Sequence, residues 1–372
     1  MRSAHAGARS GTIAVKRVDH GVNRSGCQQR ELRKIRGRAG LVVVVLLLLA
    51  AAAAALVYGD YRHFAKTPLR LMTETVVVEV PPGTPLPGVV RVLEQGGITV
   101  GNTWYWRILA RELGVAGRLH AGEYALDSGI TPEALLKKMA AGEVIQHRFT
   151  IVEGWTFRQL RGALTQDPVL VQTLADVDDA EIMRKLQSGG AAPEGWFLPE
   201  TYSFVKGMSD IDILRRAHES MSKLLDSLWA AHPADFPLES AYQLLILASI
   251  VEKETARVEE RPQIAGVFLH RLKLGMRLQT DPSVIYGLGA QYDGNIHRRD
   301  LDNDTPYNTY TRSGLPPTPI ALPGKAALEA VLHPAPTDAL YFVARGDGTH
   351  EFSATLDAHN RAVARYQLHR DP

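Results

Sequence analysis

SAYQLLILASIVEKETARVEE (Ser240–Glu260) decides how the second half of this chain is read. Ser240 followed three residues later by Gln243 fits a capping box, so a helix is expected to start there and to run until Pro262. Its first half is apolar nearly all round and is expected to be buried. Leu247, Ile250, Val251, Glu254 and Val258 fall on one i, i+3, i+4 stripe, so Glu254 interrupts an apolar face. Glu252 lies roughly 200° round the helix from it, which excludes a close carboxylate pair. A carboxylate on an apolar stripe costs several kcal/mol unless it is paired or protonated. Two readings stay open from periodicity alone. Glu254 is either half of an ion pair with Arg257, Arg261 or Arg271, or an acid whose raised pKa suits proton donation near neutral pH.

Beyond Pro262 the spacing of Ile264, Val267, Phe268 and Leu272 predicts a second helix, closed by Gly275. MRLQTDPSVIYG (Met276–Gly287) follows, rich in hydrogen-bonding groups yet flanked by apolar residues, as a cleft wall would be. Tyr307-Asn308-Thr309-Tyr310 and Gly314-Leu315-Pro316-Pro317 lie in a loop-rich stretch. Amide, hydroxyl and phenol groups with few charges suit a neutral, hydroxyl-rich ligand such as a sugar. The alternative is a structural turn with core tyrosines. No cofactor and no metal are expected: Glu252, Glu254 and Glu259 have no well-spaced histidine, and His270 sits on another segment.

Towards the N-terminus, TVVVEV (Thr75–Val80) predicts a strand, and Leu86, Val89, Val90 and Leu93 a helix closed by Gly96-Gly97. A further helix is expected over Thr103–Leu113 with Trp104, Ile108 and Leu109 inward, then a strand over Gly122–Leu126. This β-α-α-β order resembles a LysM-like module, a small fold that grips N-acetylglucosamine-containing glycans. Trp104, Tyr105 and Trp106 are candidates either to stack on sugar rings or to fill a core. Thr131-Pro132-Glu133 starts another helix, with Leu135, Leu136 and Met139 buried and Gly142 at its end. A strand over Val144–Val152 and a helical stretch over Thr156–Leu186 lead into EGWFLPETY (Glu194–Tyr202).

At 372 residues, 45% hydrophobic and 22% charged, the chain has the composition of a globular protein with room for two domains. A net charge of +2 gives no reason to expect a nucleic-acid partner. Leu41–Val57 has no charge, Pro or Gly and approaches the roughly 20 residues that cross a bilayer. Arg24, Arg30, Arg33, Lys34, Arg36 and Arg38 precede it and favour an N-in orientation, although Arg62, Lys66 and Arg70 follow. The competing reading is a cleaved signal with its small-residue block at Ala50–Ala55, which the long preceding segment opposes. Cys27 is the sole cysteine, so no intramolecular disulfide is possible. Residues 1–38, without apolar periodicity, are expected to be a disordered tail.

ASIVEKET (Ala248–Thr255), RLKLGMRLQTDPSVIYG (Arg271–Gly287), YNTY (Tyr307–Tyr310) and GLPP (Gly314–Pro317) together resemble the endolytic murein transglycosylase family, the YceG-like proteins. EGWFLPETY and YFVARGDGTHEFSATLDAHN (Tyr341–Asn360) extend the likeness to about residues 68–367. The resemblance implies an α+β chain: a cytoplasmic tail (1–39), one transmembrane helix (40–58), a LysM-like subdomain (68–145) and a lysozyme-like, mainly helical catalytic region with a small C-terminal β element (146–372). It implies a bacterial inner-membrane lyase, N-terminus cytoplasmic. This would cut the MurNAc–GlcNAc bond within nascent glycan strands, leave a 1,6-anhydro-MurNAc end and work beside peptidoglycan synthases. Glu254 takes the place of the acid, with Thr255 where serine is commoner; Thr318 stands where many members have glycine. Glu194, Gln279, Thr280, Asp281, Tyr286, Tyr307, Asn308 and Tyr310 are the candidate substrate-binding residues. Two rivals remain. A hydrolytic muramidase would need Asp281 or Glu194 as a second carboxylate, about 5–5.5 Å away if retaining or about 6.5–9.5 Å if inverting. A non-catalytic peptidoglycan-binding scaffold would need neither.

Overall fold

The computed structural model describes residues 25–188 and 192–368, with only the helical backbone given over 25–40. Helix α1 (Ser25–Lys66) starts well before the apolar run and continues past Tyr58. Its 42 residues make a rod of roughly 63 Å. The expected tail is therefore helical from Ser25, and its remainder, 1–24, lies outside the described residues. The stretch Leu41–Lys66 is long and apolar enough to cross a membrane by length and composition.

The first unit pairs β1 (Thr75–Val80) with β2 (Gly122–Asp127), antiparallel from Thr75↔Asp127 to Val80↔Gly122. Helices α2 (Leu86–Gln95) and α3 (Thr103–Glu112) lie between them in sequence, giving the β-α-α-β order. Helix α4 (Pro132–Ala141) follows, with the Thr131 hydroxyl accepting the Ala134 N–H at its start. Gly142, at φ +69°, takes the left-handed turn that ends it. Val89, Leu93, Trp106, Tyr124, Leu126 and Leu135 fill the core. The inward face of α3 differs from the expected one. Trp106, Leu109 and Ala110 are buried, while Trp104 is 66% exposed and Ile108 also faces out. Three consecutive aromatics span about 200° of a helix, so only one could dominate the core face. The indole N–H of Trp106 closes its hydrogen-bond account within the core, donating to Val100 O at 2.8 Å.

Strand β3 (His147–Thr150) is shorter than expected and pairs with β4 (Thr201–Phe204), drawn from the EGWFLPETY segment. Helices α5 (Phe157–Gln166) and α6 (Asp179–Lys185) occupy the stretch between. Helix α7 (Asp210–Ala230) leads to α8 (Ala241–Glu254), α9 (Arg261–Lys273), α10 (Asp281–Leu288) and the short α11 (Arg298–Asp302). Helix α12 (Lys325–Leu332) packs on both α8 and α9. A hairpin of β5 (Tyr341–Ala344) and β6 (His350–Ser353), then α13 (Leu356–Tyr366), close the chain. Leu244, Leu247, Ile250, Val251, Phe268 and Val331 form the core around α8.

The end of α8 corrects the sequence expectation. The helix stops at Glu254 and Thr255 is extended, at φ −145° and ψ 135°. A single 3-10 turn, Val258–Glu260, then precedes α9, where Pro262 occupies the first turn. Proline clashes with the carbonyl four residues back, so one helix could not run through both segments. The break leaves Val258 half exposed, off the apolar stripe, and puts Glu254 on the last turn of a buried helix.

Candidate active site

Glu254 is half-buried at the floor of an open cleft of about 560 Å³. The cleft is lined by Arg271, Gln279, Asp281 and Tyr310, and by Tyr341, His350, His359 and Asn360 from the hairpin and α13. The Thr280 hydroxyl donates to Glu254 Oε1. Thr280 is itself fixed, because its N–H donates to Thr309 Oγ1 at 3.0 Å. Gln279 donates its N–H to Thr309 O at 3.1 Å and holds φ at +50°, a left-handed conformation that costs a non-glycine residue energy. The tight joining of 279–280 to 309 aims the Thr280 hydroxyl at the acid.

Burial pushes the Glu254 carboxyl up to about 7. The Thr280 hydrogen bond opposes the rise, the charge of Asp281 adds to it, and His350 and Arg271 oppose it. The C-terminal end of α8, where carbonyl dipoles point outward, also disfavours the charged form. Asp281 is exposed in the cleft and accepts the Tyr310 hydroxyl at 2.5 Å. Arg271 is buried, and burial lowers its pKa. It donates to Leu340 O and Leu278 O, each at 2.6 Å, and its guanidinium lies 5.3 Å from the Tyr341 ring centre. His350 is gripped by Glu260: its N–H donates to Oε1 at 3.0 Å and its Nδ1 lies 2.7 Å from Oε2. Arg257, on the turn after Glu254, donates to Gly348 O and Asp347 O, tying that turn to the hairpin.

The ion pair that is one of the two readings for Glu254 belongs to Glu252 instead. Arg261 Nη2 donates to Glu252 Oε1 at 2.7 Å with both side chains 4% exposed, and the Gly324 N–H donates to Oε2 at 3.0 Å. Burial still pushes the Glu252 carboxyl up, against the pull of Gly324 and Arg261.

The eight candidate binding residues divide. Gln279, Thr280, Asp281 and Tyr310 gather around Glu254. Glu194 does not line that cleft. It is 5% exposed, accepts the Phe157 N–H at 2.9 Å at the start of α5 and the Tyr286 hydroxyl at 3.0 Å. Burial pushes its carboxyl up to about 7, but its partners are structural. Tyr286 stacks edge-on against Tyr307, whose hydroxyl meets Thr318 Oγ1 at 2.9 Å. Asn308 is 1% exposed and tied to its own loop. Its amide donates to Leu301 O at 2.9 Å and Asn303 O at 2.7 Å, while Oδ1 accepts the Tyr310 N–H at 2.9 Å. The cleft also contains Arg271, considered in the sequence only as an ion-pair partner, and Tyr341, His350, His359 and Asn360, to which the sequence assigned no role. All lie in quoted motifs, but no local period marks a side chain whose partner is 90 residues away, as for His350 and Glu260.

The pattern of the YceG-like family matches residues 78–365. The chain belongs to that family. This YceG-like chain is 30% identical over 311 residues to the endolytic murein transglycosylase of Bacillus subtilis (strain 168), covering 78% of this chain and 85% of the relative. It is 28% identical over 325 residues to the endolytic murein transglycosylase of Streptococcus pneumoniae (strain D39), spanning 58% of that longer protein and 78% of this one. The crystal structure of a YceG-like protein from Listeria monocytogenes superposes with a TM-score of 0.50 at 31% identity, covering 77% of this chain and 99% of that one.

Proposed function

We propose that this YceG-like chain is a lytic transglycosylase that cleaves the MurNAc–GlcNAc bond within peptidoglycan strands, with Glu254 as its one acid/base. The supporting observation is a half-buried carboxyl, pushed up to about 7, on the floor of an open cleft. In this reading protonated Glu254 gives its proton to the glycosidic oxygen as an oxocarbenium-like centre forms at C1. The same carboxylate then takes the proton of the C6 hydroxyl of MurNAc. That oxygen closes on C1 and leaves the 1,6-anhydro end. Thr280 steadies the charged carboxylate between the two transfers, and Gln279 and Tyr310 supply hydrogen-bonding groups to the sugar. Helix α1 is the inner-membrane anchor with its N-terminus in the cytoplasm, the β-α-α-β unit is a LysM-like glycan-binding element, and cleavage ends growing strands beside their synthases.

Hydrolysis is the second reading, because Asp281 lines the same cleft and could activate water. Glu194 is less suited to that role, being committed to α5 and Tyr286.

The test is release of soluble fragments from purified sacculi by the detergent-solubilised full chain. The pH dependence carries further information. Glu254 must begin protonated, so kcat/KM is expected to fall as pH rises through about 7, approaching tenfold per unit above it. Thr280→Val removes a bond that favours the carboxylate, so the falling limb should move to higher pH. A Thr280→Val enzyme that is slower with an unmoved limb would show that this hydroxyl does not act on Glu254.

A further inference from the structure

Helix α3 carries a face that neither the cleft nor the core uses. Trp104, Arg107, Ile108 and Arg111 follow i, i+3, i+4, i+7 spacing, and all four are exposed. Trp104 is 66% and Ile108 47% exposed, a large apolar area to leave in water. The opposite face of α3 enters the core through Trp106, Leu109 and Ala110.

The placement of α3 on α1 identifies what could cover this stripe. Tyr105 donates to Asp60 Oδ2 at 2.7 Å and its ring meets Tyr61 at 5.7 Å; Trp106 meets Phe64 at 5.6 Å. Glu112 accepts from Tyr61 and Arg62. Helix α3 is thus held against Asp60–Phe64, whereas the chain leading into α4 meets the segment just past the end of α1, Leu69 donating its N–H to Ile130 O at 2.8 Å. The apolar run ends at Val57. At 1.5 Å per residue, Asp60 lies roughly 4.5 Å and Phe64 roughly 10.5 Å beyond it. The polar headgroup layer is about 5–7 Å deep on each side of a bilayer. The stripe lies on the side of α3 away from its core face, at the height along α1 that this layer would occupy.

We propose that the Trp104–Arg107–Ile108–Arg111 stripe lies against the outer leaflet of the membrane crossed by α1, with Trp104 and Ile108 at the acyl boundary and the two arginines on anionic lipid phosphates. The proposal rests on reading α1 as a retained anchor. Aromatic residues with cations are the composition of interfacial helices, and exposed Tyr58 adds an aromatic at the end of the span. Asp60 and Glu112 are already engaged by Tyr105, Tyr61 and Arg62, so the local acids do not compete strongly for the lipid-facing guanidinia. A glycan is a poorer occupant because the Arg107 guanidinium already sits 5.1 Å over the Trp104 ring, on a face that a sugar would need. Contact at the headgroups would hold the first unit flat on the membrane and keep the cleft at a set height above it.

The experiment uses the full chain with Cys27→Ser and Ile108→Cys, labelled with nitrobenzoxadiazole and reconstituted in phosphatidylethanolamine–phosphatidylglycerol vesicles. A second chain carries the label at Leu274→Cys, an exposed position after α9. Flotation after alkaline carbonate extraction reports the anchor separately. The expected result is blue-shifted emission at 108 and quenching by headgroup-proximal spin-labelled lipid several-fold stronger than at 274, weakening when phosphatidylglycerol is omitted. An anchored chain whose 108 label is quenched by aqueous iodide as readily as the 274 label overturns the α3 contact and leaves the anchor standing. Protection of the 108 label by soluble glycan strands, with no lipid quenching, overturns it in favour of a sugar surface. Loss of the chain from floated vesicles removes the anchor reading and the proposal with it.

Discussion

Glu254→Gln is expected to lower glycan cleavage by about 10²–10⁴-fold or more while the protein stays folded. Gln is nearly isosteric and can still meet the Thr280 hydroxyl, but it can neither give a proton to the glycosidic oxygen nor recover one from the C6 hydroxyl. The same substitution should stabilise the protein at high pH. The folded carboxyl is raised from 4.5 to about 7, so its protonated form favours the folded state. That contribution is fully present below about pH 4.5 and is lost as pH rises through about 7. Above that range a buried charge remains, and replacing it should gain roughly 1–2 kcal/mol, discounted from the full shift because the cleft is open to water. Melting temperatures at pH 5 and pH 8 check the sign: the gain of Glu254→Gln over wild type should be larger at pH 8. A variant that melts far earlier at both values would mark Glu254 as a structural ion, and one that keeps most of its activity would remove it from the reaction.

The second large effect concerns stability. Arg261→Met strips the partner from Glu252 while the carboxyl stays 4% exposed. Losing one member of a buried ion pair typically costs about 3–5 kcal/mol. The pair itself is not an efficient stabiliser, since Arg261 Nε and Nη1 have no hydrogen-bond partner in the described structure. Combining Arg261→Met with Glu252→Gln should therefore recover much of the loss, because the amide no longer carries an unpaired buried charge and can still accept the Gly324 N–H. Urea denaturation of the three variants tests this. An Arg261→Met protein within about 1 kcal/mol of wild type would show that Glu252 finds another partner or protonates at little cost. Activity should follow stability here, because Arg261 begins α9 directly after the Val258–Glu260 turn that follows the end of α8, where Glu254 sits.

What was legible in the sequence was local. Thr131, Pro132 and Gly142 bracket α4 through cap chemistry that depends on neighbours within one turn, and TVVVEV carries the strand preference of β1. Glu254 stood out because a carboxylate on an apolar stripe demands an explanation. The rest depended on partners distant in sequence. The helical period separates Glu254 from Glu252, but it does not show that Glu252 meets Arg261 and Gly324 while Glu254 meets Thr280. The polar composition around Asn308 suggested a ligand, yet its amide is consumed by the loop carbonyls that fold back on it. Glu194 was likewise absorbed by the start of α5. Helix α7 carries no short motif, although its apolar face packs into the core. The early end of α8 is a competition: helical spacing favours continuation past Glu254, while Pro262 and extended Thr255 favour a restart.

Lytic cleavage and hydrolysis break the same bond through similar transition states, so rates alone do not separate them. They differ in the oxygen that ends on C1. An intramolecular C6 hydroxyl can act at an effective molarity of roughly 10⁵ M or more, which favours it over water where no second base is poised. The most direct test is mass spectrometry of fragments released from sacculi by the full chain in heavy-oxygen water. The expected products are 1,6-anhydro-MurNAc ends that carry no heavy oxygen and are about 20 Da lighter than hydrolytic ends formed in the same solvent. Reducing MurNAc ends, each with one heavy oxygen and lost on Glu254→Gln, would contradict it and make Asp281 the residue to test as the base that activates water.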